Sequence, residues 1–211
     1  MTGAALAVEQ QVKSLCAAGR HDDALGALLR GFGEELLGFV SGQLRDEDLA
    51  ADAFAVACED LWRGLPTFRF EASVRTWAYR VVRHACARVA RDPRRRRERN
   101  VPLSQASLVG QLEHELRAAT TRWQRTAEKD KLRALRDALS ADDQALLTLR
   151  LDRGLSWLEI ADVLREHDDE TDDADVGARK RRAAGLRKRF ERLKERLRAA
   201  AIDAGLVPEG S

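Results

Sequence analysis

Apolar positions recur at helical spacing wherever they are dense. From Asp22, Leu25, Leu28, Leu29, Phe32, Leu36, Phe39 and Val40 fall on one stripe and predict a long amphipathic helix. A polar turn, 45–48, leads to a second helix with Phe54, Ala57, Cys58, Leu61 and Trp62 on its apolar side, stopped by Gly64 and Pro66. Ser73 stands where an N-cap belongs, and Val74, Trp77, Ala78, Val81, Val82, Ala85 and Val89 mark the third helix. Its other face carries Arg75, Thr76, Tyr79, Arg80, Arg83, His84 and Arg88. Three such helices predict a small bundle ending near Pro93. Residues 1–20 are Ala-rich and weakly patterned, and are expected to form an N-terminal extension.

The pattern loosens after the bundle. Residues 98–130 read as a linker, and a second domain is expected over 131–200. There Leu132, Leu135, Ala138 and Leu139 give a short helix, and Ser140 starts another with Ala145, Leu146 and Leu149. Gly154 sits where a left-handed C-cap residue would, and Ser156 with Glu159 spells a capping box ahead of Ile160, Ala161 and Leu164. The last helix is marked by Leu186, Phe190, Leu193 and Leu197, with 201–211 as a tail. Two short helices and then a basic one fit a helix-turn-helix whose final helix enters a DNA groove. The fold class expected is all-α, with two small helical domains joined by a linker.

Charge changes the picture more than composition does. The formal net charge of the 211 residues is only +2, yet it is sorted into blocks. Six arginines lie within 91–99, and eleven Lys or Arg face two Glu within 179–198. Seven acids fill 166–175, inside an acidic insertion expected over 165–178, and Asp46, Glu47, Asp48, Asp52, Glu59 and Asp60 crowd the second helix. The three cysteines have no CxxC spacing, so neither a disulfide framework nor a zinc site is indicated. No leader and no apolar run long enough to span a bilayer is visible, which predicts a cytoplasmic protein. His21, His84, His114 and His167 are isolated, and no phosphate loop or metalloprotease motif occurs, so no catalysis, cofactor or metal is expected.

The run 65–89 holds Phe68, Phe70, Trp77 and Tyr79, four of the chain's eleven aromatics, beside a basic helix face. Rings next to cations are what a protein needs to hold a phosphate backbone and stack an unpaired base. Trp77 lies on the apolar stripe and is assigned to the core, leaving Phe68 and Tyr79 as the rings expected to touch DNA.

In their order, these residues resemble bacterial RNA polymerase sigma factors of the extracytoplasmic-function type. Asp52 with Phe54, Leu61 and Trp62, then Gly64-Leu-Pro-x-Phe68, Glu71-Ala-Ser73 and Arg75-Thr-Trp77-x-Tyr79-Arg80 follow the family's second region. Gly154-Leu-Ser156-Trp157-x-Glu159-Ile160-Ala161 and Leu186-Arg-Lys-Arg-Phe190-x-Arg192 follow its fourth. The chain departs from the family in having Ala55 and Val56 where a polar pair is usual, and about twenty residues between Leu164 and Leu186 in place of a short turn.

The resemblance implies promoter recognition, DNA melting and transcription initiation. It implies core RNA polymerase and promoter DNA as partners, and allows an anti-sigma factor. Phe68, Arg69, Glu71, Ser73, Arg75, Thr76, Tyr79, Arg80 and Arg83 would engage the minus-ten element. Ser156, Arg187, Lys188, Arg189, Arg192 and Lys194 would engage the minus-thirty-five element, while Asp52, Glu59 and Asp60 would meet polymerase. Arg94 to Arg97 would steady the DNA backbone electrostatically. The alternative is a stand-alone helix-turn-helix regulator that never binds polymerase. For the acidic block, a solvated insertion competes with an intramolecular DNA mimic lying over the basic helix.

Overall fold

The computed structural model describes residues 3–92, 135, 138–165, 176–204 and 206. All regular structure among them is helical, as the periodicity predicts, and the chain divides into two compact units, Met1–Arg122 and Trp123–Ser211. The linker, the arginine run 94–97 and the acidic block 166–175 lie outside the described residues.

Among its described residues the first unit has four helices where the periodicity marks three: α1 (Gly3–Ala17), α2 (His21–Leu44), α3 (Glu47–Gly64) and α4 (Val74–Arg91). A 3-10 turn, Leu65–Thr67, links α3 to the loop before α4. The segment expected as a loose extension is thus a helix packed along α2. Ala5, Val8, Val12 and Leu15 form its inward stripe, and Val12 is fully buried. Its fit is tight at Gly31, where a Cβ would lie 2.6 and 2.7 Å from the two Val8 methyls.

Leu28, Leu29, Leu36, Phe39, Phe54, Leu61, Val74, Ala78, Val82 and Ala85 make the core of this unit. Asp46 caps α3, its side chain accepting the Leu49 N–H at 3.0 Å, and Ser73 caps α4 by accepting the Thr76 N–H at 3.0 Å. Cys58 and Cys86 are buried and unpaired by disulfide. Burial pushes the Cys86 thiol up to about 12, so it stays protonated and packs as an apolar group.

The second unit is built from α5 (Ala141–Leu147), a π-helical turn (Thr148–Asp152), α6 (Trp157–Val163) and α7 (Val176–Asp203). Ser140 caps α5, Gly154 takes the left-handed conformation (φ +65°), and Ser156 with Glu159 closes a complete capping box. The Trp157 and Phe190 rings meet edge-on at 5.4 Å, joining α6 to α7, while the Arg150 guanidinium lies 4.7 Å from the Trp157 centroid.

The last helix begins ten residues before Leu186, which corrects the expected insertion 165–178. Arg165 is buried, and Val176 to Ala178 are already helical. Ala178 and Ala183 extend the stripe of Leu186, Phe190, Leu193 and Leu197 toward the N-terminus, and alanines of this kind register weakly in hydropathy. The helix also runs past residue 200, where Ala201 is buried.

If α1 is held by its fit on Gly31, Gly31→Leu should release it. The expected cost is about 1–3 kcal/mol of local overpacking. Hydrogen exchange should then reveal faster exchange of α1 amides, with α3 keeping its protection.

Candidate nucleic-acid interface

The loop between Thr67 and Val74 is set by its aromatics. Phe68 stacks on Trp77 (centroids 4.6 Å apart, planes 19° from parallel), and Phe70 tilts against Phe68 at 4.7 Å. Trp77 in turn covers Gly64, where a Cβ would come within 2.8 Å of its ring. Phe70 holds a left-handed backbone (φ +57°), which non-glycine residues seldom adopt. The result is a half-buried row of three rings, Trp77–Phe68–Phe70, with Arg69 and Glu71 turned to solvent on either side of Phe70.

The first turn of α4 is fully satisfied. The Glu9 carboxylate on α1 accepts the Val74 N–H at 2.7 Å and the Arg75 N–H at 3.0 Å. Ser73 accepts the Thr76 N–H through its hydroxyl and the Trp77 N–H through its carbonyl. The Trp77 bond is the first of the helix ladder, and the three amides before it, which have no partner within the helix, are all met, two of them by a negative charge where the helix dipole favours one.

Several residues expected at the minus-ten surface are placed elsewhere. Tyr79 is fully buried, its ring meeting Phe39 edge-on at 5.3 Å, so it does not present a ring to a base. Thr76 is buried with its hydroxyl accepting from Ser73 at 2.8 Å, and Ser73 is occupied as the cap. Arg75 forms a bidentate pair with Glu35 of α2 at 2.6 and 2.8 Å. The reason is common to all of them. Both α2 and α3 pack on α4, so a second stripe, Arg75–Thr76–Tyr79, is covered beside the first. Trp77, assigned to the core, is half-buried and carries the aromatic row. Phe68, Arg69 and Glu71 remain on the loop, and Arg80 and Arg83 lie partly exposed on one face of α4.

On α3, Asp48, Asp52 and Glu59 are exposed at spacings that keep them on one side of the helix. Glu59 pairs loosely with Arg63 at 3.4 Å. Asp60 differs: it binds Arg88 and ties α3 to α4. Trp62, expected on the apolar side, is half exposed and donates its indole N–H to Asp22 at 2.7 Å. Ala55 is buried and Val56 partly so.

In the second unit the acids select among the arginines of α7. Asp162 takes both arms of Arg179, one at 2.8 Å, and this hydrogen bonding pushes the guanidinium further above its ordinary range against the opposing effect of burial. Asp143, itself buried, takes Arg189 at 2.7 Å and Arg196 at 3.6 Å. Arg189 therefore holds α7 on α5 rather than reaching outward. Lys194 pairs with Glu191 at 2.7 Å, and the Ser156 hydroxyl serves its capping box. Arg187, Lys188 and Arg192 are exposed, and they continue a face that Lys180 and Arg181 begin in the first turns. Hydropathy does not mark those two, because the stripe beside them is made of alanines.

Among the described residues no group of three metal-ligating side chains comes together, and no helix is long and apolar enough to cross a membrane. The first unit is thus a helical bundle that sets an aromatic loop beside a basic helix face, with an acidic face on α3. Residues 28–97 match the family model described as Sigma-70 region 2, and the matched segment spans most of α2, all of α3 and the loop–α4 segment. The chain matches no curated protein and no solved structure at a significant level.

Because Tyr79 is a core ring, Tyr79→Ala should lower stability by about 3–5 kcal/mol. Denaturant unfolding of the purified protein measures this, and a loss of DNA binding at full stability would contradict the placement. Arg189→Ala should likewise destabilise the second unit, whereas Arg192→Ala should leave its stability unchanged.

Proposed function

We propose that this protein is a sigma factor of the extracytoplasmic-function type, directing core RNA polymerase to promoters and opening the minus-ten element. The observation that carries the reading is the Sigma-70 region 2 match, which falls on the helices presenting the aromatic loop and the acidic face. Asp52 and Glu59 on α3 dock on polymerase, with Asp60 contributing through the α3–α4 tie. The loop from Phe68 to Ser73 captures a base flipped from the non-template strand, with Arg69 and Glu71 at its rim. Arg80 and Arg83 on α4 follow the strand's phosphates. Extruding a base costs a few kcal/mol. Stacking on an aromatic row returns ~1–3 kcal/mol per base.

The second unit is assigned to the minus-thirty-five element. In a helix-turn-helix the N-terminal turns of the second helix meet the base edges, and α7 begins at Val176. Lys180 and Arg181 therefore take the leading place, followed along the same face by Arg187, Lys188 and Arg192, with Lys194 at its margin. The protein binds and melts DNA without making or breaking a covalent bond. It acts in the cytoplasm where polymerase is found, and an anti-sigma factor fits the same scheme as a regulatory partner.

Run-off transcription with purified core polymerase on a promoter library tests the proposal. Discrete transcripts that depend on this protein are expected, and failure to bind core polymerase would remove the assignment. Replacing Lys180 and Arg181 together with Ala should weaken binding to promoter duplex. If both meet phosphates, the slope of log K against log salt should flatten by about two.

A further inference from the structure

Helix α1 ends at Ala17, before the segment that matches Sigma-70 region 2 begins at residue 28, yet it reaches the loop at two points. Glu9 holds the Val74 and Arg75 amides, 65 and 66 residues further along the chain. One turn on, the Lys13 ammonium lies 5.8 Å from the centroid of Phe70, the residue with the left-handed backbone. The first contact fixes where α4 starts, and the second faces the outer ring of the aromatic row. Between them lie only Glu71, Ala72 and Ser73.

We propose that α1 is a positioning element for base capture, with Glu9 the residue through which it acts. The inference rests on the sigma reading of the loop. A carboxylate on two adjacent amides sets the direction in which the chain leaves Ser73 and enters the helix, and so sets where Phe68 and Phe70 stand. The same carboxylate occupies the positive end of α4. A DNA phosphate is thereby kept off the helix terminus, and the strand is left to the outer edge of the loop beside Arg69. Glu9 touches no base itself. Lys13 supports it from the same helix by drawing the Phe70 ring toward α1.

The experiment uses the full chain with core polymerase, on a promoter recovered by the run-off selection and carrying 2-aminopurine in the non-template strand. Glu9→Ala should bind core polymerase and form the closed complex like the wild type, but open the promoter roughly fivefold more slowly, the loss typical of a removed helix cap. On a template made abasic at the captured position the difference between variant and wild type should vanish, because no base remains to be positioned. An unchanged opening rate on the intact promoter would overturn the proposal. So would an equal slowing on the abasic template, which would make Glu9 a general support of the fold.

Lys13→Gln guards against a folding failure of Glu9→Ala, since Lys13 is exposed and its loss leaves the cap intact. It should give a smaller slowing with the same dependence on the captured base, and no slowing would count against the proposal. Should the wild type open no promoter, the sigma reading fails first and this inference falls with it.

Discussion

Helix α4 is covered along two adjacent stripes, and the character of the first unit follows from that constraint. Val74, Ala78, Val82 and Ala85 meet one set of neighbours, while Arg75, Thr76 and Tyr79 are covered beside them. A helix covered so widely keeps only a narrow strip for solvent, and that strip holds Arg80 and Arg83. The loop ahead of it inherits the same order. Trp77 rises from α4 against Gly64 and gives Phe68 a flat partner, and Phe70 follows Phe68. A loop that already holds its shape avoids the conformational entropy that ordering it on binding would cost. Here the order comes from packing within the bundle.

Much of this was legible in the sequence because local chemistry was clean. Ser73, Ser140 and Ser156 announce their caps by residue type and spacing, and Gly154 its left-handed turn. What escaped was long-range. A hydropathy stripe identifies the face of α4 that α3 needs, but it says nothing of a second helix approaching from the side. Tyr79 and Arg75 therefore read as outward residues until Phe39 and Glu35 are placed beside them. The role of α1 escaped for a related reason. Ala5, Val8, Val12 and Leu15 do recur at helical spacing, yet alanine-rich segments give weak contrast between faces. Glu9 acquires meaning only from amides 65 residues away.

In α7 the same limit acted on a boundary. Ala178 and Ala183 carry the buried stripe where the sequence shows mostly arginine, so the hydropathy pattern marks the helix only from Leu186 onward. Moving that start to Val176 adds Lys180 and Arg181 to the exposed face of the helix. It also shortens the interval after α6 to residues 164–175, nearer to the short turn of a helix-turn-helix.

The basic residues divide into two populations, and the division bears on function. Arg75, Arg88, Arg179 and Arg189 are held by Glu35, Asp60, Asp162 and Asp143, each acid reaching across from another helix. Arg69, Lys180, Arg187, Lys188 and Arg192 are turned to solvent. The formal net charge of +2 is a sum over the whole sequence and does not reveal this division. Counterion release depends on the cations that reach phosphate, not on their total number. On α7, Lys180, Arg187, Lys188 and Arg192 are of the outward kind and lie on one face of the helix. The chain's acids spend themselves in two ways, holding helices together or forming an acidic face of their own on α3. Of the charge blocks along the sequence, the acidic one on α3 and the basic one on α7 become helix faces in three dimensions.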